Sequence, residues 1–578
     1  MQLSTQPSDL RGAALPSDVH LASRRYTAVV SPTRTARISL LQLPAFAIED
    51  AEASLAHTLR RIDETVASEK PDLIALPEVT YPAYLLGTRD LSTCNVLSPA
   101  DAAARFADKA RQHGIYIAVG LALDAPGGGY ANGALLFGRD GSIIGRYDKS
   151  FLFHFDTRWF TAGDAYPVFE TDFGRVGMLI CADGRLPEIA RSLALNGAQL
   201  ILDLTAWVSG ARQPEDLTTS QVEFLMPTRA AENGVWVACC DKFGVEAESI
   251  VYAGRSRFIN PAGETVAALG PNEDTALTYD VPLADATPRV TRRPELYDVL
   301  SHPTESLAVT RQMDESFVMS QHERRIAVAQ ITMPATGAGF LVAARRHVER
   351  QALMDADIVV FPATPSRLRA AYPHDAVLAS VVGIARETGV CVAFTLSEPD
   401  ADGWRAMYLV GPRGVIAKHR QTHKPPGPRF ETMPMGDEVS PVVETPIGRV
   451  GLMVAAEGFV PEVPRSLMLR GAEFILWCGD DPGTPMMPTV ARCRAEENRV
   501  FVACAAAPTP HGAAMVVDPN GRVLAQALEG RELCVAADVN RALSHIKQRA
   551  PGTDIVRDRQ PAAYGAITRS LAPASAPA

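Results

Sequence analysis

An α/β architecture built twice along 578 residues is what this sequence predicts. Short apolar runs alternate with amphipathic stretches early in the chain and then follow one another closely. That is the signature of layered α/β folds with at least one mixed sheet rather than a doubly wound parallel one. The length exceeds one ordinary core. In addition, GRVGMLICADGRLPEIARSLALNGA (174–198) recurs without a gap as GRVGLMVAAEGFVPEVPRSLMLRGA (448–472), a repeat of a whole domain and not of a short solenoid unit.

In chain order, residues 1–35 read as an N-terminal arm with one short strand at Tyr26 to Val30. ARISLLQL (36–43) reads as a strand, 48–68 as an amphipathic helix, and DLIALPE as a buried strand ending at Pro77 and Glu78. A helix follows over 100–113, then strands IYIAVGLAL and ANGALLFG. The glycines between those strands lack the Gly-Lys-Ser/Thr ending and the helix of a phosphate loop, so a hairpin is expected. The apolar run Val176 to Ile180 stops at Cys181, Pro187 opens a helix and Gly197 closes it. This puts a thiol at a strand-to-helix turn, where helix N–H groups favour a thiolate. AQLILDL, a helix over 219–233, and three more strands in VWVACCDKFG, RSRFINPAGETVAAL and TALTYDV complete the first copy.

The repeat extends beyond the cysteine segment. RAAENGVWVAC (229–239) returns as RAEENRVFVAC (494–504), FINPAGETVA (258–267) as VVDPNGRVLA (516–525), and RRPELY (292–297) as RQPAAY (559–564). These pairs place one domain at 36–300, a polar linker at 301–323, a second domain at 324–565 and a disordered tail at 566–578. The copies differ at three polar positions: Cys181 becomes Ala455, Glu78 becomes Ala363, and Lys149 falls on Gln421 or Thr422 according to where the gap is set. Joint loss of a carboxylate, an ammonium and a thiol on an otherwise retained scaffold points to a single site, present in copy one and lost from copy two.

That trio has a chemistry. A glutamate beside a cysteine serves as general base and later activates a water. A lysine places positive charge where an oxyanion develops. The thiol supplies covalent catalysis through acylation and deacylation. The composition narrows the class further. A formal charge of −10 argues against a dedicated nucleic-acid binder, and no apolar run approaches the length of a membrane helix. The first 36 residues lack a secretory core, so the cytoplasm is expected. Nine irregularly spaced cysteines read as reduced thiols. Cys239 and Cys240 read as core, and no HExxH or paired CxxC suggests a metal or other cofactor.

LPE at 76–78, YDKSFLF at 147–153 and GMLICADGRLPEIAR at 177–191, with RAAEN and NPAG downstream, resemble the signatures of the nitrilase superfamily of carbon–nitrogen hydrolases. The resemblance implies a four-layer αββα sandwich in each copy, metal-independent chemistry, Glu78 as general base, Lys149 as oxyanion stabiliser and Cys181 as nucleophile. It also implies a second acidic residue after the lysine. Counted back from WFTAGD, that position is Asp156, one methylene shorter than the glutamate usual there. Ala182 and Asp183 after the nucleophile resemble the amidase and carbamoylase branches more than the nitrile-hydrolysing one. Arg185 falls where carbamoylases hold a substrate carboxylate, a geometry that suits a guanidinium, although Gly184 replaces a first arginine and an acidic partner for Arg185 is an equal reading.

The expected activity is hydrolysis of a small amide or N-carbamoyl compound through a thioester, in the first domain only. Nitrile hydrolysis or acyl transfer on the same site, and an inactive scaffold protein, are the alternatives. Tyr81, His154, Trp159 and Trp207 are the expected apolar walls. The second domain is expected to be an inactive partner paired with the first inside one chain. Dimerisation of the whole chain is a further expectation.

Overall fold

A computed structural model describes residues 35–211, 213–286, 292–314, 323–365, 371–398, 404–424, 433–480, 485–509 and 514–569. The N-terminal arm and its short strand lie outside the described residues.

Copy one begins with β1 (Thr35–Pro44), α1 (Ala51–Glu69), β2 (Leu73–Ala75), α2 (Pro99–His113), β3 (Tyr116–Asp124), β4 (Tyr130–Phe137) and β5 (Ile143–Asp148). It continues with α3 (Asp156–Trp159), β6 (Val168–Glu170), β7 (Arg175–Leu179), α4 (Pro187–Leu195), β8 (Leu200–Leu204) and α5 (Met226–Asn233). β9 (Trp236–Cys240), β10 (Lys242–Glu246), β11 (Ile250–Ala253), β12 (Arg257–Ile259), β13 (Thr265–Ala268) and β14 (Thr275–Pro282) close it. Helix α2 shows how local chemistry sets a boundary: the Ser98 hydroxyl accepts from Asp101 N–H, Pro99 occupies the first turn, and Gly114 ends the helix in the left-handed region.

The strands form two sheets. One runs β11-β10-β1-β2-β3-β4-β5 with β14 also on β1, and the other β13-β12-β9-β8-β7-β6. Both mix parallel and antiparallel pairs. Ile38, Leu40, Ala118 and Leu136 of the first sheet share a core with Met178, Leu202 and Ala238 of the second, while Leu41, Ile74 and Ile117 face Ile62 and Phe106 of α1 and α2. With α4 and α5 on the far side of the second sheet, the layers are αββα. The central strands are buried along nearly their whole length because each sheet is covered on both faces, by the other sheet and by helices.

Copy two repeats the second sheet in the same order, from Val443–Thr445 to Val523–Gln526, and the first, from Glu323–Gln330 to Leu533–Asn540, without counterparts of β10 and β11 among the described residues. The helices of the two copies meet across a common core: Leu467, Met468, Val490, Ala491 and Ala495 of copy two join the cluster that holds Ile189 and Ala230 of copy one.

Three expectations need correction. The stretch after Trp236 holds six strands, because the chain turns at Asp241 and sends β10 and β11 to the first sheet. The linker is not merely polar: Ala308–Met313 is helical, and Leu307 and Val309 are buried. Residues 566–569, expected to belong to the tail, are part of the fold, since Gly565–Thr568 is helical, Ile567 is buried, and Arg292 donates to the carbonyls of Ala566 and Ile567; the remainder lies outside the described residues. Each of these follows from a partner far away in sequence.

Candidate active site

Four segments of copy one converge between the sheets. Glu78 follows β2 in a turn pressed against Gly120 of β3, where a Cβ would lie 2.5 Å from the Pro77 carbonyl oxygen. Lys149 follows β5, and its N–H donates to the Asn132 carbonyl. Cys181 follows β7 with φ of +50°, a left-handed conformation that a non-glycine residue adopts only when its surroundings impose it. Two buried groups do so: Asp203 Oδ1 accepts the Cys181 N–H at 2.8 Å, and Gln221 Nε2 donates to its carbonyl at 2.6 Å. Asp156 opens α3, with Oδ2 accepting Phe153 N–H at 2.9 Å.

Lys149 Nζ lies 2.6 Å from Glu78 Oε1 and 2.6 Å from Asp156 Oδ2, and Asn132 Nδ2 donates to the same Glu78 oxygen at 2.7 Å. All three charged groups are buried. Burial pushes the Glu78 carboxyl up; Lys149 opposes that and Asp156 adds to it. Burial alone would lower Lys149, but the Asp156 and Glu78 carboxylates together hold it well above the usual lysine range. Burial, then the Glu78 charge, pushes the Cys181 thiol well up, against the pull of Lys149. The thiolate expected from the turn is thus reversed: the resting thiol is protonated, and the turn after it is one 3-10 segment, Cys181–Arg185. A neutral thiol beside a buried carboxylate suits proton transfer during attack and not before it.

A further carboxylate locks the parts together. Asp183 accepts from Tyr147 hydroxyl at 2.7 Å and from the N–H groups of Ser150, Phe151 and Ile180, which ties the lysine loop to the nucleophile turn. Burial raises its pKa to about 6 despite these donors and Lys149.

Residues 37–289 and 325–545 each match the family model for carbon-nitrogen hydrolases. The chain belongs to the carbon–nitrogen hydrolase family. A probable nitrilase of Schizosaccharomyces pombe is 33% identical over 180 residues, a match that spans 30% of this chain and only 63% of that protein. A hydrolase of the pqqF 5′ region of Pseudomonas protegens is 32% identical over 281 residues, 47% of this chain and 94% of that protein. Human omega-amidase NIT2 is 28% identical over 254 residues, 42% and 87% of the two chains. Among solved structures, an amidase from a Nesterenkonia species is 27% identical, covering 45% of this chain and 95% of its own, with a TM-score of 0.38.

Within this carbon–nitrogen hydrolase the other sequence-selected residues divide. Arg185 is buried and engaged: Nη1 donates to Glu496 Oε1 of copy two at 2.6 Å and to Ser220 Oγ at 3.1 Å, above the Phe153 ring. Burial and Arg549 lower its pKa to about 10, against Glu496. His154, at φ +48°, packs edge-on to Phe155 beside the site loop, and Trp159 stacks on Phe155. Trp207 is fully buried in the main core. Tyr81 is not a wall of the site; it packs with Leu41, Ile74 and Phe106 on the helix side, its hydroxyl accepting Leu97 N–H. Tyr84, three residues on, shares a cluster with Val79, Leu152 and Phe155 beside the site, and burial, then the charges of Asp156, Glu78 and Cys181, raise its pKa. Sequence reading also passed over Asn132, Asp203 and Gln221. Asn132 sits in an expected strand, and no local pattern marks it.

Copy two settles the alignment of the lysine. Tyr147 and Ser150 bind Asp183 as His419 and Thr422 bind Glu457, so Gln421 is the counterpart of Lys149. Glu78 N–H donates to Thr205 as Ala363 N–H does to Gly479, and Lys149 N–H donates to Asn132 as Gln421 N–H does to Arg405. Asn132 therefore becomes Arg405. Asp203 becomes Trp477, whose indole donates to the Ala455 carbonyl at 3.0 Å. The counterpart of Asp156 lies outside the described residues.

Proposed function

We propose that copy one is a cysteine amidase. The thiol of Cys181 gives its proton to Glu78 as Sγ bonds to the amide carbonyl carbon, and Lys149 stabilises the resulting oxyanion. Collapse of the tetrahedral intermediate expels ammonia or an amine, which takes the proton from Glu78, and leaves a thioester. Glu78 then deprotonates a water that attacks the thioester, releasing the acid and the thiol. Asp156 holds the Lys149 ammonium as its second carboxylate partner. The observation that carries this reading is the lysine bridging two buried carboxylates with the charge of Glu78 acting on the thiol.

The substrate proposed is a small uncharged amide. Arg185, the cation available for a carboxylate, is already paired with Glu496 and Ser220. Copy two we read as a non-catalytic partner, since Ala363, Arg405, Gln421, Ala455 and Trp477 replace Glu78, Asn132, Lys149, Cys181 and Asp203 of the site.

Intact-protein mass spectrometry with a panel of neutral amides, carbamoyl amino acids and nitriles tests the proposal. An acyl adduct formed from neutral amides and absent from Cys181→Ala is the expected result. Adducts only from nitriles or carbamoyl amino acids would overturn the substrate assignment, and turnover surviving in Cys181→Ala would overturn the mechanism.

A further inference from the structure

Between the last sheet strand and the closing Arg–x–Pro segment, copy one has nine residues (283–291) and copy two has eighteen (541–558). The extra length folds as a two-stranded hairpin, Gln548–Ala550 against Thr553–Asp554. Its base is tied to copy two. The buried Lys547 donates to the carbonyls of Asn498 and Arg499, Arg499 donates to Ile546, and Arg549 donates to Glu496. Its tip lies on copy one. Thr553, fully buried, accepts the His154 N–H at 2.7 Å and donates to the Leu152 carbonyl at 3.3 Å.

Those two backbone groups flank Phe153, whose N–H holds Asp156 Oδ2, and Asp156 in turn holds Lys149. His154 is kept in the left-handed region at φ +48°, a conformation that costs free energy unless neighbours fix it. We infer that Thr553 of copy two is a positioning residue for the active site of copy one: through the 152–156 loop it fixes Asp156 against Lys149. This rests on the proposed amidase reading, and it assigns the second copy a specific contribution beyond contact.

Two variants of the full chain test it. Thr553→Val keeps the shape and removes both hydrogen bonds; Thr553→Ser keeps the hydroxyl. Loss of such bonds predicts a fall of about tenfold in kcat on a neutral amide with KM changed less than about twofold in Thr553→Val, and near wild-type values in Thr553→Ser. A separate reading does not depend on turnover: the pH profile of Cys181 alkylation by iodoacetamide, followed by intact mass with Cys181→Ala as blank. It shifts by about one unit in Thr553→Val and not in Thr553→Ser. Wild-type kcat and alkylation profile in Thr553→Val, or equal impairment in both variants, overturns the inference. If the wild type turns over no amide, the amidase reading falls and the alkylation profiles alone decide the role of Thr553.

Discussion

Cys181 and Ala455 occupy the same turn at nearly the same strained angle, φ +50° and +51°. Both turns end a parallel strand, and both are pinned by a buried carboxylate, Asp183 in one copy and Glu457 in the other. Copy two thus keeps the strain of the turn with no thiol to present. The left-handed residue belongs to the scaffold, which needs it to pass from strand to helix. The chemistry resides in side chains placed on that scaffold: in copy two Trp477 bonds to Ala455 from the position where Asp203 holds Cys181.

The largest expected effect tests whether the thiol alone separates the copies. Cys181→Ala reproduces the residue that copy two already accommodates, so the protein folds with unchanged thermal stability while turnover falls by at least about 10⁴-fold, read by amide hydrolysis. Next is the contact that joins the copies. Arg229 pairs with Glu497 and Arg494 with Glu232, all at 2.6 Å, and each arginine also binds the glutamate three residues on in its own helix. This ring is fully buried. Arg494→Ala leaves Arg229 alone between two carboxylates, so that one buried negative charge is uncompensated, and costs about 3–5 kcal/mol, measured by denaturant unfolding of the whole chain.

A smaller effect comes from a buried histidine of copy two. His423 stacks on Tyr297 of copy one, whose hydroxyl it meets at 2.6 Å, and burial lowers its pKa to about 4. The folded state binds fewer protons than the unfolded state between that value and the ordinary histidine value of about 6.5. Stability is therefore full above about pH 6.5 and declines as pH falls toward about 4, by at most about 3 kcal/mol. His423→Gln flattens that slope in acid unfolding curves. Smallest of all is an effect of zero. In a Cys181→Ala background, Ala363→Glu, Gln421→Lys and Ala455→Cys together restore no turnover, because Arg405 and Trp477 stand where Asn132 and Asp203 complete copy one. Activity from that triple variant would break the comparison.

Much of this was legible before folding. The repeat exposed Glu78, Lys149 and Cys181 because their loss is visible along the chain, and the strand-end positions of all three follow from short apolar runs. Asp156 could be counted from WFTAGD, and it meets the lysine. The rest was hidden because it depends on strands far apart in sequence. Asp203 reaches Cys181 through the pairing of β7 with β8, and Asn132 reaches Glu78 across 54 positions. Tyr81 and Tyr84 look alike in sequence, yet one packs with Ile62 and Phe106 of the helices and the other with Val79, Leu152 and Phe155, the neighbours of the site residues. RAAEN and RAEEN were visible as a repeated landmark, but that each supplies half of a charged ring appears only when the helices meet. Arg185 shows the same limit, since its partner Glu496 lies 311 positions away.

The Arg185–Glu496 pair exists on one side of the molecule only, for the corresponding positions of the other side are Phe459 and Ala231. In an assembly of two identical chains every substitution appears twice, so no contact can be tuned on one flank without altering the other. Fusion of the copies lifts that constraint. It also removes the dependence of assembly on protein concentration, so the partner that carries Thr553 cannot be lost by dilution.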